Sequence, residues 1–200
     1  MKNFSIGHQL LTILFVFIIS SCASNTATFE GEKVRLITVE RELHYSADIV
    51  WDKIFMDYGG SHKFNVNVVE SGYTGDIKTA KVGAQRYMQQ DEEGKKILYE
   101  RIEMIDANSK KMRFKIYDAK GIPINTDVTY GESQLIEKGE NSSLFRINFY
   151  YRLKPSFLAN FANSGLERDF TNMTIGMEHY LRTGEQISED NFDEIASKYK

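Results

Sequence analysis

The feature that most restricts how this chain can fold is one long amphipathic helix placed after a run of strands. Leu166, Phe170, Met173, Met177 and Tyr180 recur at alternating steps of four and three residues, a single apolar stripe that Gly184 ends. Ser164 and Glu167 stand ahead of the stripe at capping-box spacing, which predicts a helix over 165–183. Upstream the period changes to two. Strands are expected near 34–45, 66–74, 83–90, 95–106, 111–118, 124–136 and 142–153, parted by turn clusters such as "DEEG", "DANSK" and "EKGENS". A short helix interrupts them after the first strand. Ser46 is its N-cap candidate, Asp48 lies in the first turn, and Val50, Trp51, Ile54, Phe55 and Tyr58 form its apolar face up to Gly59-Gly60. An antiparallel sheet with one apolar face must bury that face, and only the final helix is long enough to cover it. The expected fold class is therefore α+β, a curved antiparallel sheet of six to seven strands wrapped around a long C-terminal helix.

The N-terminus has a different character. Lys2 precedes the run "LLTILFVFII" (Leu10 to Ile19), which is short for a bilayer span but suited to a secretory signal peptide. At its foot stands "ISSC", Ile19-Ser20-Ser21-Cys22, which resembles the lipobox of bacterial lipoproteins. That resemblance implies cleavage before Cys22 and acylation of this cysteine, the only one in the chain. Loss of residues 1–21 removes one lysine and no acid, leaving the mature chain one unit more negative than the −3 of the whole. It would also hold no free thiol, as suits an oxidising compartment. Residues 22–32 are small and polar and read as a flexible tether. Residues 185–200 read as a short C-terminal helix or a tail. The expected localisation is the bacterial cell envelope, lipid-anchored on the periplasmic or outer-membrane face.

Three pieces carry a second resemblance: "SADIVWDKIFMDYGG", then "VGAQRYM" with "EEGKKILYERIEMID", then "LERDFTNMTIGMEHYLRTGE". In order and spacing the chain over 34–184 resembles the START-like helix-grip superfamily (SRPBCC, polyketide cyclase-like). The resemblance implies a hydrophobic cavity between sheet and helix that holds a lipid, sterol, hormone or polyketide. Some members are catalysts, but the superfamily shares no catalytic residue, so none is carried over.

Alternation nominates the residues that face such a cavity. Leu98, Glu100, Ile102 and Met104 share one strand face, as do Ala84, Arg86 and Met88, so Glu100 and Arg86 are each a charge among apolar neighbours. A turn with Gly94 in the left-handed position sets Arg86 opposite Glu100, and the two anomalies become one cross-strand ion pair. In plant hormone receptors of the superfamily the matching pair belongs to the ligand cavity's polar network. A structural buried pair, indifferent to ligand, accounts for the same residues. Phe114, Ile116, Phe145, Phe149, Phe170, Met173 and Met177 complete the expected walls. The methionines on these faces suit either adaptable ligand contact or ordinary core filling.

The charge balance gives no basic footprint for nucleic acid. His44, His62 and His179 have no metal-ligand spacing, and neither metal nor cofactor is expected. The first expectation is a monomeric, non-enzymatic binding protein for a small hydrophobic ligand or lipid, held to a membrane through Cys22. A cyclase- or hydratase-like enzyme using Arg86, Glu100 and Tyr130 is the second, and a partner-binding envelope protein with a filled core the third.

Overall fold

The computed structural model of the chain describes residues 25–29 and 31–199. The expected signal peptide over 1–21 and Cys22 lie outside the described residues. Eight antiparallel strands form one curved, unclosed sheet: β1 (Asn25–Phe29), β2 (Glu32–Leu43), β3 (Glu70–Thr74), β4 (Gln85–Gln89), β5 (Ile97–Asp106), β6 (Lys111–Lys120), β7 (Tyr130–Gly139) and β8 (Ser142–Tyr151), in the order β1-β2-β8-β7-β6-β5-β4-β3. Across its concave face lies α2 (Ala159–Thr183), preceded by α1 (Ala47–Val50) and followed by α3 (Glu189–Ser197). This is the α+β arrangement expected of a helix-grip fold.

Because every pairing is antiparallel, the connections alternate between two ends of the sheet. The β1–β2 and β4–β5 turns, the β6–β7 loop and the lead-in to α2 gather at one end. The β5–β6 and β7–β8 turns gather with α1 at the other. Helix α2 runs from the first end to the second alongside β2. Arg35 Nη2 donates to Asn160 Oδ1 at 2.5 Å near the start of both elements, and His44 N donates to Glu178 Oε2 at 3.2 Å beyond the end of β2. The lengths agree, since nine strand steps cover about 30 Å and eighteen helical steps about 27 Å. His44 Nδ1 also lies 3.1 Å from the buried Glu178 carboxylate, which ties the far end of the helix to the sheet.

Local sequence explains α1 and the segment after it. Ser46 caps the helix by accepting from Ile49 N at 3.4 Å, as its position predicted. The helix then widens into a π-turn at Trp51–Phe55, with Trp51 and Phe55 stacked at 5.2 Å. Tyr58–Lys63 continues as a 3₁₀ segment, where Gly59 and Gly60 take part instead of ending the structure.

The fold departs from expectation chiefly in three places, the tether, the 124–136 strand and the start of α2. Five residues of the expected 22–32 tether are taken into the sheet as the edge strand β1, whose threonines alternate beside β2 and whose hairpin turns at Gly31 (φ 83°). The sheet therefore has eight strands. The strand expected over 124–136 begins only at Tyr130, because Asn125 organises a turn: Thr129 Oγ1 donates to its carbonyl at 2.6 Å and Asp127 N to its side chain at 3.3 Å. Helix α2 begins at Ala159, so Ser164 and Glu167 lie inside it and cap nothing. The C-terminal stretch forms α3, with Ile187 and Ile195 buried beside Val66 in a small cluster on the outer side of α2. There Gly176 lets α2 approach backbone closely, since a Cβ would come within 2.1 Å of the Phe64 carbonyl oxygen.

Candidate functional site

Between the concave face and α2 lies a cavity of about 350 Å³. The sheet builds one wall by alternation. Arg86 and Met88 come from β4, Leu98 and Glu100 from β5, Met112, Phe114 and Ile116 from β6, Ser133 from β7, and Phe145, Ile147 and Phe149 from β8. Helix α2 builds the opposite wall from Ala162, Leu166, Asp169, Phe170, Met173 and Met177. Ile54, Phe55 and Tyr58 close the α1 end, whereas Asn65, Asn67, Gln90 and Ile122–Ile124 line the other end and keep partial exposure. Gly131 makes room on β7, where a Cβ would lie 2.2 Å from the Phe114 ring.

The predicted ion pair is present. Arg86 is the register partner of Glu100, and Gly94 takes the left-handed conformation (φ 62°) in the intervening turn. Arg86 Nε donates to Glu100 Oε2 at 2.8 Å, and Nη2 lies 2.6 Å from the same oxygen. Its Nη1 donates to the Tyr58 carbonyl at 2.8 Å, and the guanidinium sits 4.1 Å from the Tyr58 ring centroid. One arginine thus joins two strands to the 3₁₀ segment. Burial pushes the Glu100 carboxyl above its ordinary range, and Arg86 pulls it only part of the way back. Burial also opposes the charge on Arg86, but Glu100 together with the neighbouring tyrosines Tyr58 and Tyr73 more than offsets it and holds the guanidinium protonated. The Tyr58 hydroxyl is enclosed beside this pair without a hydrogen-bond partner among the described residues, and burial raises its pKa well above the usual phenol value.

Eleven of the thirteen expected cavity residues line the space: Arg86, Met88, Leu98, Glu100, Phe114, Ile116, Phe145, Phe149, Phe170, Met173 and Met177. Two do not. Ile102 points inward but is packed into the core behind the wall. Met104 is exposed, because β5 carries a bulge between Ile102 and Met104 that reverses its alternation and turns Ile105 inward instead. Tyr130 lies on the convex face, stacked on Tyr150 at 4.4 Å, and is removed from the set of inward polar groups.

Asp169 is a cavity residue that the sequence reading does not include. It stands on the inner side of α2 between Leu166 and Phe170, and burial raises its carboxyl above the ordinary value while Arg168 lowers it less. A polar residue at helical spacing within an apolar stripe was the available signal. The amide rim of Asn65, Asn67 and Gln90 had none, since it comes from loops and a strand end. His62 bonds Ser71 Oγ at 2.8 Å, and His179 bonds the Tyr199 hydroxyl at 3.2 Å. Among the described residues no three histidine, cysteine or acidic side chains converge as metal ligands, and no helix is long and apolar enough to cross a membrane.

No family model matches the chain, and no curated protein is similar in sequence. Solved structures are similar in fold. A START superfamily protein from Mycobacterium smegmatis superposes with a TM-score of 0.60 at 9% identity, over 74% of this chain and 97% of that one. A truncated norcoclaurine synthase from Thalictrum flavum gives 0.55 at 15% identity, over 76% and 96%. Major latex-like protein 151 from Panax ginseng gives 0.55 at 14% identity, over 74% and 97%. At such identities the likeness shows the fold alone, and together with the sheet order and the gripped helix that fold is the helix-grip fold.

Proposed function

We propose that the protein is a lipid-anchored cell-envelope component that binds a small hydrophobic molecule or lipid between the sheet and α2. The observation that carries this reading is the cavity itself. It falls within the ~300–1,000 Å³ usual for small-molecule sites, and its walls are overwhelmingly apolar with a few convergent polar groups. A volume of this kind argues against a filled core. The buried Arg86–Glu100 ion pair is already satisfied, which argues against these two residues as free proton-transfer groups for a cyclase or hydratase. Ligand binding and anchorage at Cys22 are separate parts of the proposal, and each has its own test.

The charges along the cavity narrow the ligand class. Its charged lining consists of Arg86, Glu100 and Asp169, one cation and two acids. Arg86 is committed to Glu100, so no cation is left to receive a carboxylate. A neutral amphiphile, with its apolar body against the phenylalanines and methionines and its polar end toward Asp169 and the amide rim, fits better than a fatty-acid anion. Each buried methylene contributes ~0.8 kcal/mol, enough for useful affinity from a medium-length chain.

Organic extracts of Cys22→Ser protein, analysed by mass spectrometry, should contain a neutral apolar compound in near-stoichiometric amount. A fluorescent sterol should bind the same protein and be displaced by a long-chain alcohol. Met173→Trp fills the space and should abolish probe binding while leaving the unfolding midpoint close to that of the parent. Absence of both a co-purified compound and a displaceable probe would refute ligand binding. Anchorage requires an acyl mass on the peptide that begins at Cys22, and an unmodified terminus refutes that part alone.

A further inference from the structure

Phe157 and Phe161 are the two most exposed large apolar side chains among the described residues, at 60% and 79%. They stand four residues apart where the 3₁₀ turn Ser156–Leu158 runs into α2, while Leu158 and Ala162 of the same turns pack inward. Two sets of contacts fix what lies beside them. Lys154 N donates to the Pro123 carbonyl at 2.8 Å and Ile124 bridges Leu153, so the cavity rim at Ile122–Ile124 adjoins the lead-in to Phe157. Arg35 reaches Asn160, next to Phe161, and is itself the register partner of Thr26. The described chain therefore begins, at Asn25, close to the first turn of α2. The cavity rim and the bare phenylalanines share one end of the molecule, and Asn25 lies level with the first turn of α2, four strand steps in from the β1–β2 turn at that end.

We infer that this end docks on a lipid bilayer, with Phe157 and Phe161 set into the boundary between headgroups and acyl chains and the cavity mouth facing the lipid. The inference rests on the reading of Cys22 as an acylated anchor. Since β1 begins at Asn25, only three residue steps separate it from Cys22, a reach of about 10 Å at full extension. An anchor so short holds the domain against the surface, within the ~5–10 Å depth at which interfacial apolar side chains insert. Two phenylalanines are far too little area for a stable dimer, which needs about 800 Å² from each partner. The nearby charges are mixed, with Lys154 3.5 Å from Asp127, and so the contact is apolar and insensitive to salt. A ligand would then pass between bilayer and cavity without crossing water.

The test uses the acylated full-length protein reconstituted into phosphatidylcholine vesicles with brominated acyl chains. Phe161→Trp is the reporter and Phe157→Trp a second one. Ile49→Trp, on α1 at the opposite end, is the control, and the buried Trp51 of the parent sets the background. Flotation reports anchorage, and fluorescence reports docking. The expected result is flotation of all variants, with emission quenched several-fold at positions 161 and 157 but not at 49, and unchanged at high salt. Flotation with no quenching at either phenylalanine position, or with equal quenching at 49, would overturn the docked orientation and leave anchorage standing. Failure of the parent to float would overturn the anchor and, with it, this inference.

Discussion

Two of the arginine–glutamate pairs that cross neighbouring strands are alike in length and opposite in surroundings. On the concave face Arg86 Nη2 lies 2.6 Å from Glu100, with side chains 13% and 4% exposed. On the convex face Arg113 Nη2 lies 2.5 Å from Glu132, with side chains 42% and 31% exposed. Distance does not separate them. Water does: apart, the outer charges would be well solvated, whereas each inner charge would face an apolar wall. The inner pair is also bound to Tyr58, so it joins the sheet to the segment that closes the cavity. Similar geometry therefore serves a structural commitment on one face and a minor trim on the other.

The comparison breaks most visibly if one inner charge is removed. Arg86→Met or Glu100→Gln alone should destabilise the fold by ~3–5 kcal/mol in chemical denaturation, because the survivor is left uncompensated in a mostly apolar space. Replacing both with apolar residues should restore most of the loss. A double-mutant cycle that shows no coupling would place the inner pair on the same footing as the outer one.

The second effect concerns the room the inner face keeps. Gly131→Ala drives a methyl into the Phe114 ring, and overpacking of this kind costs ~1–3 kcal/mol. Phe114 is displaced into the cavity, so probe affinity should fall together with stability. Gly139 has nothing within 4 Å of its Cβ position, and Gly139→Ala is the matched control, expected to leave probe binding unchanged.

The inner pair was legible because each half broke an otherwise apolar alternation and because Gly94 fixed the turn between them. The same rule failed four residues on. Leu98, Glu100, Ile102 and Met104 alternate without interruption, but the bulge before Met104 is set by pairing with β6 and leaves no trace in the β5 residues themselves. The stripe on α2 located the gripping helix and three of its cavity contacts, Phe170, Met173 and Met177. The true start at Ala159 was hidden by Gly165 and by a capping pattern that the fold does not use. The rim was least legible. Asn65, Asn67 and Ile122–Ile124 come together only through loops, where neither period applies, and β1 was concealed by the small polar composition of an apparent tether.

A third effect separates the faces by pH. Burial raises the Glu100 carboxyl in the folded chain above its ordinary value of 4.5, so the folded state holds this proton to higher pH than the unfolded state. Stability then falls as pH rises from the ordinary carboxyl value through the raised one, with a slope of at most ~1.4 kcal/mol per pH unit for one proton. Other carboxyls, such as that of Asp106, shift downward and oppose this trend in the whole protein. The difference between the parent and Arg86→Met/Glu100→Gln isolates the inner pair. Relative to this double variant the parent should lose stability across that window, and a relative gain would reverse the assigned direction.

The smallest effect is on the convex face, and its size is what sharpens the contrast. Glu132→Gln leaves Arg113 half in water, beside the Tyr130 ring at 5.6 Å, where solvent takes over what the carboxylate provided. The expected loss is ~0.2–1 kcal/mol at low ionic strength, the range measured for exposed pairs. Salt should shrink it further, since a Debye length near 3 Å at 1 M screens charges at the surface. The inner variants, shielded from ions by the α2 wall, should show the same deficit at low and high salt. A Glu132→Gln loss above ~2 kcal/mol, or one that persisted at 1 M salt, would mean that register and hydrogen-bond geometry outweigh solvation. The two faces would then differ less than their exposure implies.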